Sequence, residues 1–166
     1  MVQVHGEIKD YVMRLSHTVL LFLFISNSLN AETITELSML DFGTIAITDN
    51  TAAYTLRLRY TGQVIKDPQI IMITPGTPAE YFLSGFLPST LLTINITSIP
   101  GVTYSPQSGN PSNQQFTISN FDYLPLVTTT AAGELSIFVG ATLTTSGVGT
   151  YEDTPYYTTL NINVSY

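Results

Sequence analysis

The sequence has no cysteine and no tryptophan, and its two histidines, His5 and His17, both lie near the start. Without cysteine there is no disulfide framework and no thiolate metal site. From residue 18 onward, Ser-His-Asp, Cys-His and histidine–zinc chemistry are excluded for want of an imidazole. Charge is also scarce. Only 10% of residues are Asp, Glu, Lys or Arg, against about a quarter in an ordinary globular protein. Long hydrophobic runs are missing too: the longest, Val19–Ile25, has seven residues, whereas a membrane-spanning helix needs about 20.

That short run has a different use. Arg14 precedes it, and the small and polar residues Ser26-Asn27-Ser28-Leu29-Asn30-Ala31 follow it. A cation, a short apolar centre and a small-residue exit make a secretory signal peptide, here residues 1–31. Cleavage after Ala31 fits, with cleavage after Ser28 as the alternative. Met13 stands directly before the basic residue and reads as a true start, with a long n-region from Met1 as the alternative. Residues 32–166 then form a single exported domain in the periplasm, at the cell surface or outside the cell. The leader takes both histidines with it, and its two acids (Glu7, Asp10) balance its two bases (Lys9, Arg14), so the net charge of −7 is unchanged. Arg57, Arg59 and Lys66 are the only cations left. Such a chain has no footprint for nucleic acid and no means of insertion into a membrane.

What the sequence does have is alternation. Leu135, Ile137, Val139, Ala141 and Leu143 interleave with Ser136, Phe138, Gly140, Thr142 and Thr144. Tyr54, Leu56, Leu58 and Tyr60 do the same, as do Leu92, Ile94 and Ile96 and, at the end, Leu160, Ile162, Val164 and Tyr166. A period of two is the mark of strands with one packed and one wet face. Turn formers separate the runs, among them Pro75-Gly76-Thr77-Pro78 and Ser146-Gly147-Val148-Gly149, while Ser105–Asn113 reads as an exposed loop. The pattern predicts an all-β, antiparallel β-sandwich of roughly eight to ten strands.

Candidate chemistry is thin. Glu152-Asp153 is the one adjacent acidic pair, but neighbours on a strand point to opposite faces, so a surface turn is the better reading and no catalytic residue is assigned. Asp49, Asn50, Thr51, Glu152 and Asp153 offer oxygens for calcium without a recognised loop pattern, so no metal or cofactor is expected. Tyr151, Tyr156 and Tyr157 cluster beside Pro155 and are candidate aromatics for stacking on a glycan or a partner protein, with core packing as the alternative. Asn95-Ile96-Thr97 and Asn163-Val164-Ser165 match a glycosylation pattern, which reads as accidental in a bacterial exported chain. The last strand is suited to pairing with an edge of another polypeptide, and equally to being the final strand of the sandwich.

Four phrases in order resemble the DUF4402 family: Leu40-Asp41-Phe42-Gly43, Ala79–Gly85, Gly133–Leu143, and Gly149-Thr150-Tyr151 with Asn163–Tyr166. That family is similar in turn to spore coat protein U and chaperone–usher fimbrial subunits. The resemblance implies an immunoglobulin-like, pilin-like sandwich, exported, and assembling by strand donation between subunits or with chaperone–usher-type partners. The chain departs from fimbrial subunits in its short segment before Leu40, in ending on Tyr166 itself and in lacking a disulfide. Two functions therefore stand as expectations. One is a structural or adhesive surface subunit that pairs strands through Leu160, Ile162, Val164 and Tyr166, with Ile34 and Leu37 as donor positions. The other is a self-contained module that binds a glycan or small ligand through Tyr151, Tyr156 and Tyr157. Neither is an enzyme.

Overall fold

The computed structural model describes residues 31–98, 115–148, 151, 155–156 and 158–166. The leader, the Ser105–Asn113 loop, Glu152-Asp153 and Tyr157 lie outside the described residues. Among the described residues eleven strands run in the order β1 (Thr33–Ser38), β2 (Thr44–Ile47), β3 (Thr55–Leu58), β4 (Val64–Lys66), β5 (Ile70–Thr74), β6 (Ala79–Ser84), β7 (Leu91–Ser98), β8 (Phe116–Asp122), β9 (Leu126–Thr128), β10 (Leu135–Thr145) and β11 (Leu160–Ser165). Every pairing is antiparallel, and no helix occurs among the described residues. The protein is thus all-β and sandwich-like, as the alternation requires. β4 and β9 have three residues each, too short to leave a periodic trace in the sequence.

One sheet has the order β1-β6-β10-β3-β4, with β8 also on β10; a second has the order β11-β7-β9; β2 and β5 form a separate pair. The alternation decides which side chains are covered. Ala79, Tyr81 and Leu83 of β6, Leu92, Ile94 and Ile96 of β7, and Ile137 and Val139 of β10 form one core cluster, with Leu160, Ile162 and Val164 of β11 packed against it. A second cluster gathers Leu56 and Leu58 of β3, Ile70 of β5, Phe116 of β8 and Leu143 of β10. Leu56, Leu58, Leu83, Leu92 and Val139 are fully buried, each contributing about 1.5–3 kcal/mol of transfer free energy.

The two clusters meet at Leu40, which packs against both. Here the β1–β2 chain bends as it passes from β6 to β5. Asp41 and Thr77 exchange reciprocal backbone hydrogen bonds (2.9 and 2.7 Å), and Asp41 Oδ1 accepts from the Gly43 amide at 2.8 Å. Gly43 has φ +75°, and a Cβ there would stand 2.1 Å from the Thr74 carbonyl oxygen; one on Gly76 would stand 2.3 Å from that of Asp41. The two glycines let the crossing backbones touch.

A third close approach sets the sheet around β10. A Cβ on Gly140 would meet the Leu58 carbonyl oxygen at 2.1 Å. Beside it, Asp122 accepts from Arg57 Nη2 (2.9 Å), Arg59 Nε (3.3 Å) and the Tyr60 amide (3.2 Å). Burial pushes the Asp122 carboxyl up, but the Tyr60 amide and the two guanidiniums outweigh it and hold the group below the ordinary carboxylate range.

Gly140→Ala is expected to lower stability by about 1–3 kcal/mol, because the added methyl must displace backbone; urea unfolding measures it. Because the folded pKa of Asp122 is depressed, its contribution is present above the unfolded pKa and is lost as pH falls through the folded one. The melting-temperature gap between the wild type and Asp122→Asn is therefore expected to be widest near about pH 7 and to close toward about pH 2. A gap independent of pH would show that the ion cluster is not its source.

Candidate functional site

The two long sides of the sandwich are built differently. On one side the chain passes from β8, paired with β10 of the large sheet, through Asp122–Pro125 to β9, paired with β7 of the other sheet. Ile94 donates its amide to the Pro125 carbonyl (2.8 Å), and the Ile96 amide donates to the Tyr123 hydroxyl (3.3 Å). One covalent segment thereby closes that flank. On the opposite side lie β1 and β11, each at the end of its sheet and paired on one side only. At one end the Glu32 carboxylate lies near Tyr166 and raises its phenol pKa.

Register shows what the open flank displays. Ile34 stands opposite Leu83, and Glu36 opposite Tyr81. Directly opposed residues share a face, and Leu83 and Tyr81 point into the core. Ile34 and Glu36 therefore lie on the inner face of β1. That face is uncovered: all six residues of β1 are exposed, with Ile34 at 41% and Leu37 at 56%. Among the described residues the other sheet ends at β11. Tyr81 itself is buried; desolvation first, and the neighbouring Glu36 charge second, raise its phenol pKa.

The outer edge of β11 is unpaired among the described residues. Its six residues, Leu160–Ser165, include no charge, proline or glycine, and its pairing with β7 runs without a bulge. Other edges are blunted by the devices that discourage strand addition. β1 has a register shift after Glu36 and turns that charge inward. β4 and β9 are three residues long. β8 contains Asn120 at φ +49° and ends on Asp122. At the head of β5, Lys66 Nζ donates to the Ile70 carbonyl, and Pro75 follows its last residue. Across β11 the alternation holds, with Leu160, Ile162 and Val164 half-buried and Asn161, Asn163 and Ser165 exposed. Tyr166, expected with the apolar set, is 72% exposed.

The sequence-derived donor positions Ile34 and Leu37 belong to a strand seated on β6 of its own chain. Donation to another copy would require leaving that seat. Tyr151 and Tyr156 face inward as well. Tyr151 stacks on Phe116 (centroids 5.1 Å apart) and Tyr156 meets the same ring edge-on at 4.8 Å. Tyr151 donates to Asn50 Oδ1 (2.8 Å) and Tyr156 to Gln115 Oε1. Both rings pack against the second core cluster, which is the core-packing alternative for these two residues. The Asp49 turn is likewise closed on itself: its carboxylate accepts from the Tyr54 hydroxyl (2.7 Å), the Thr51 hydroxyl and the Thr51 amide. These bonds, that of Tyr54 foremost, lower its pKa. Three donors occupy the oxygens that calcium would need.

Glu32, Glu36 and Tyr81 were not singled out from the sequence. The signal for Glu36 was present: it shares the parity of Ile34 in an otherwise neutral strand. No family model, curated protein or solved structure matches this chain.

Proposed function

We propose that this chain is an exported structural or adhesive protein of the periplasm or cell surface, acting by strand addition along the outer edge of β11 and not by catalysis. In this reading the fold is an immunoglobulin-like, pilin-like sandwich of the DUF4402 kind, with its leader removed after Ala31 or Ser28. The observation that supports it is the bare six-residue edge of β11 beside the uncovered inner face of β1. Unpaired edge N–H and C=O groups are satisfied by an incoming strand, and the alternate side chains of that strand fill the space under β1. Sheets stack about 10 Å apart, so an added strand meets Ile34 and Glu36 as its ceiling. Its source is a second copy of this chain or an assembly partner met during export.

N-terminal sequencing of the protein recovered outside the cytoplasm is expected to begin at Glu32 or Leu29; an intact leader on soluble cytosolic protein would overturn export. Replacing Asn161 and Asn163 by lysine charges the edge while leaving the packed face alone. The double variant is expected to stay within about 0.5 kcal/mol of wild-type stability, as surface changes do, and to lose the assembled, cell-associated form seen by fractionation and sedimentation. Undiminished assembly would remove β11 from the mechanism.

A further inference from the structure

From the charge of the open flank we infer that the strand completing the sheet comes from a different polypeptide and carries a lysine or arginine at the inward position facing Glu36. This rests on strand addition at β11 and adds the identity of the occupant.

An inward side chain on a strand beside β11 points at the inner face of β1. There it meets Ile34 and Glu36, with Tyr81 at the back. Ile34 is an apolar contact. Glu36 is a carboxylate with no ion-pair partner among the described residues, whose two ion pairs both belong to Asp122. Covering it with an apolar or acidic side chain removes water from a charge and returns nothing, whereas a cation at that rung is attracted to it. Glu32, just before β1 and near Tyr166, adds a second negative charge at that end.

Among the described residues this chain has no suitable strand to offer. Its candidate donor, Thr33–Ser38, is uncharged except for Glu36 itself, so a second copy would bring one carboxylate against another. Of the three cations after the leader, Arg57 and Arg59 are paired with Asp122 and Lys66 is bound to the Ile70 carbonyl. Two copies, each with net charge −7, also repel on approach. The flank rejects its own kind and selects a basic strand.

The test uses the processed full-length protein and three short labelled peptides read by fluorescence anisotropy. One alternates valine and threonine with lysine at a central inward position. The second has glutamate at that position, and the third is this chain's own Glu32–Met39. The lysine peptide is expected to bind about three- to fivefold more tightly than the glutamate peptide, as a solvent-edged ion pair allows. That preference should vanish with Glu36→Gln and at high salt. Equal binding of the lysine and glutamate peptides, unaltered by Glu36→Gln, overturns the cation requirement and leaves strand addition standing. Tightest binding by the Glu32–Met39 peptide overturns the foreign source in favour of a second copy. Binding by none of the three removes strand addition itself, and this inference with it.

Discussion

The shared strand β10 carries the rest of the structure. Its first half, Leu135–Val139, is hydrogen-bonded to β6; its second half lies between β3 and β8. The same eleven residues send Ile137 and Val139 into one core cluster and Leu143 into the other. Two hydrophobic cores are thereby fixed to one rigid backbone, and neither can shift in register without moving the other. A slip of one residue would expose the whole buried set, because the side-chain period is two. Gly140 is where this strand passes from one partner to the next. The tight contact with Leu58–Tyr60 and the charge cluster on Asp122 both gather at that point.

With the centre held, the two flanks are free to differ. The β8–β9 segment crosses between sheets and closes its side covalently. On the β1 and β11 side, the described residues bring the Glu32 carboxylate near the Tyr166 phenol at one end. An edge normally invites aggregation, and the described edges meet that risk with brevity, bulges, proline or charge. Among the described residues β11 has none of these, and in the proposed reading its protection falls to the inward Glu36 and the acidity of the chain. A local charge that is costly to cover serves specificity, because it permits pairing with some strands while penalising others.

Much of the fold was legible in the sequence because one-sided burial writes itself as alternation. Leu56 and Leu58, Leu92, Ile94 and Ile96, and Ile137 through Leu143 are buried as their parity requires. Strand switching was not legible, since β8 and β9 differ in partner and not in pattern. Nor was the placement of β1: Ile34 and Leu37 of Thr33–Ser38 differ in parity and the whole strand is exposed, so no alternation marks it. For Tyr151 and Tyr156 the composition allowed stacking on a ligand or packing inside. The deciding partner, Phe116, lies 35 and 40 residues away in the chain, beyond any local signal. The last strand was read from its apolar alternation, whereas the placement of Glu36 on the inner face required the β1–β6 register.

The contact between Glu32 and Tyr166 brings the two ends of the folded unit, Ala31–Tyr166, within side-chain reach. A short flexible linker could therefore join them, and new termini could be opened at an exposed turn such as the one around Gly62, where a Cβ would meet nothing within 4 Å. A circularly permuted domain of this kind would carry residues 31 and 166 within an internal loop. Tags and fusions attached at the new termini, beside β3 and β4, would then lie at the far end of the large sheet from β1.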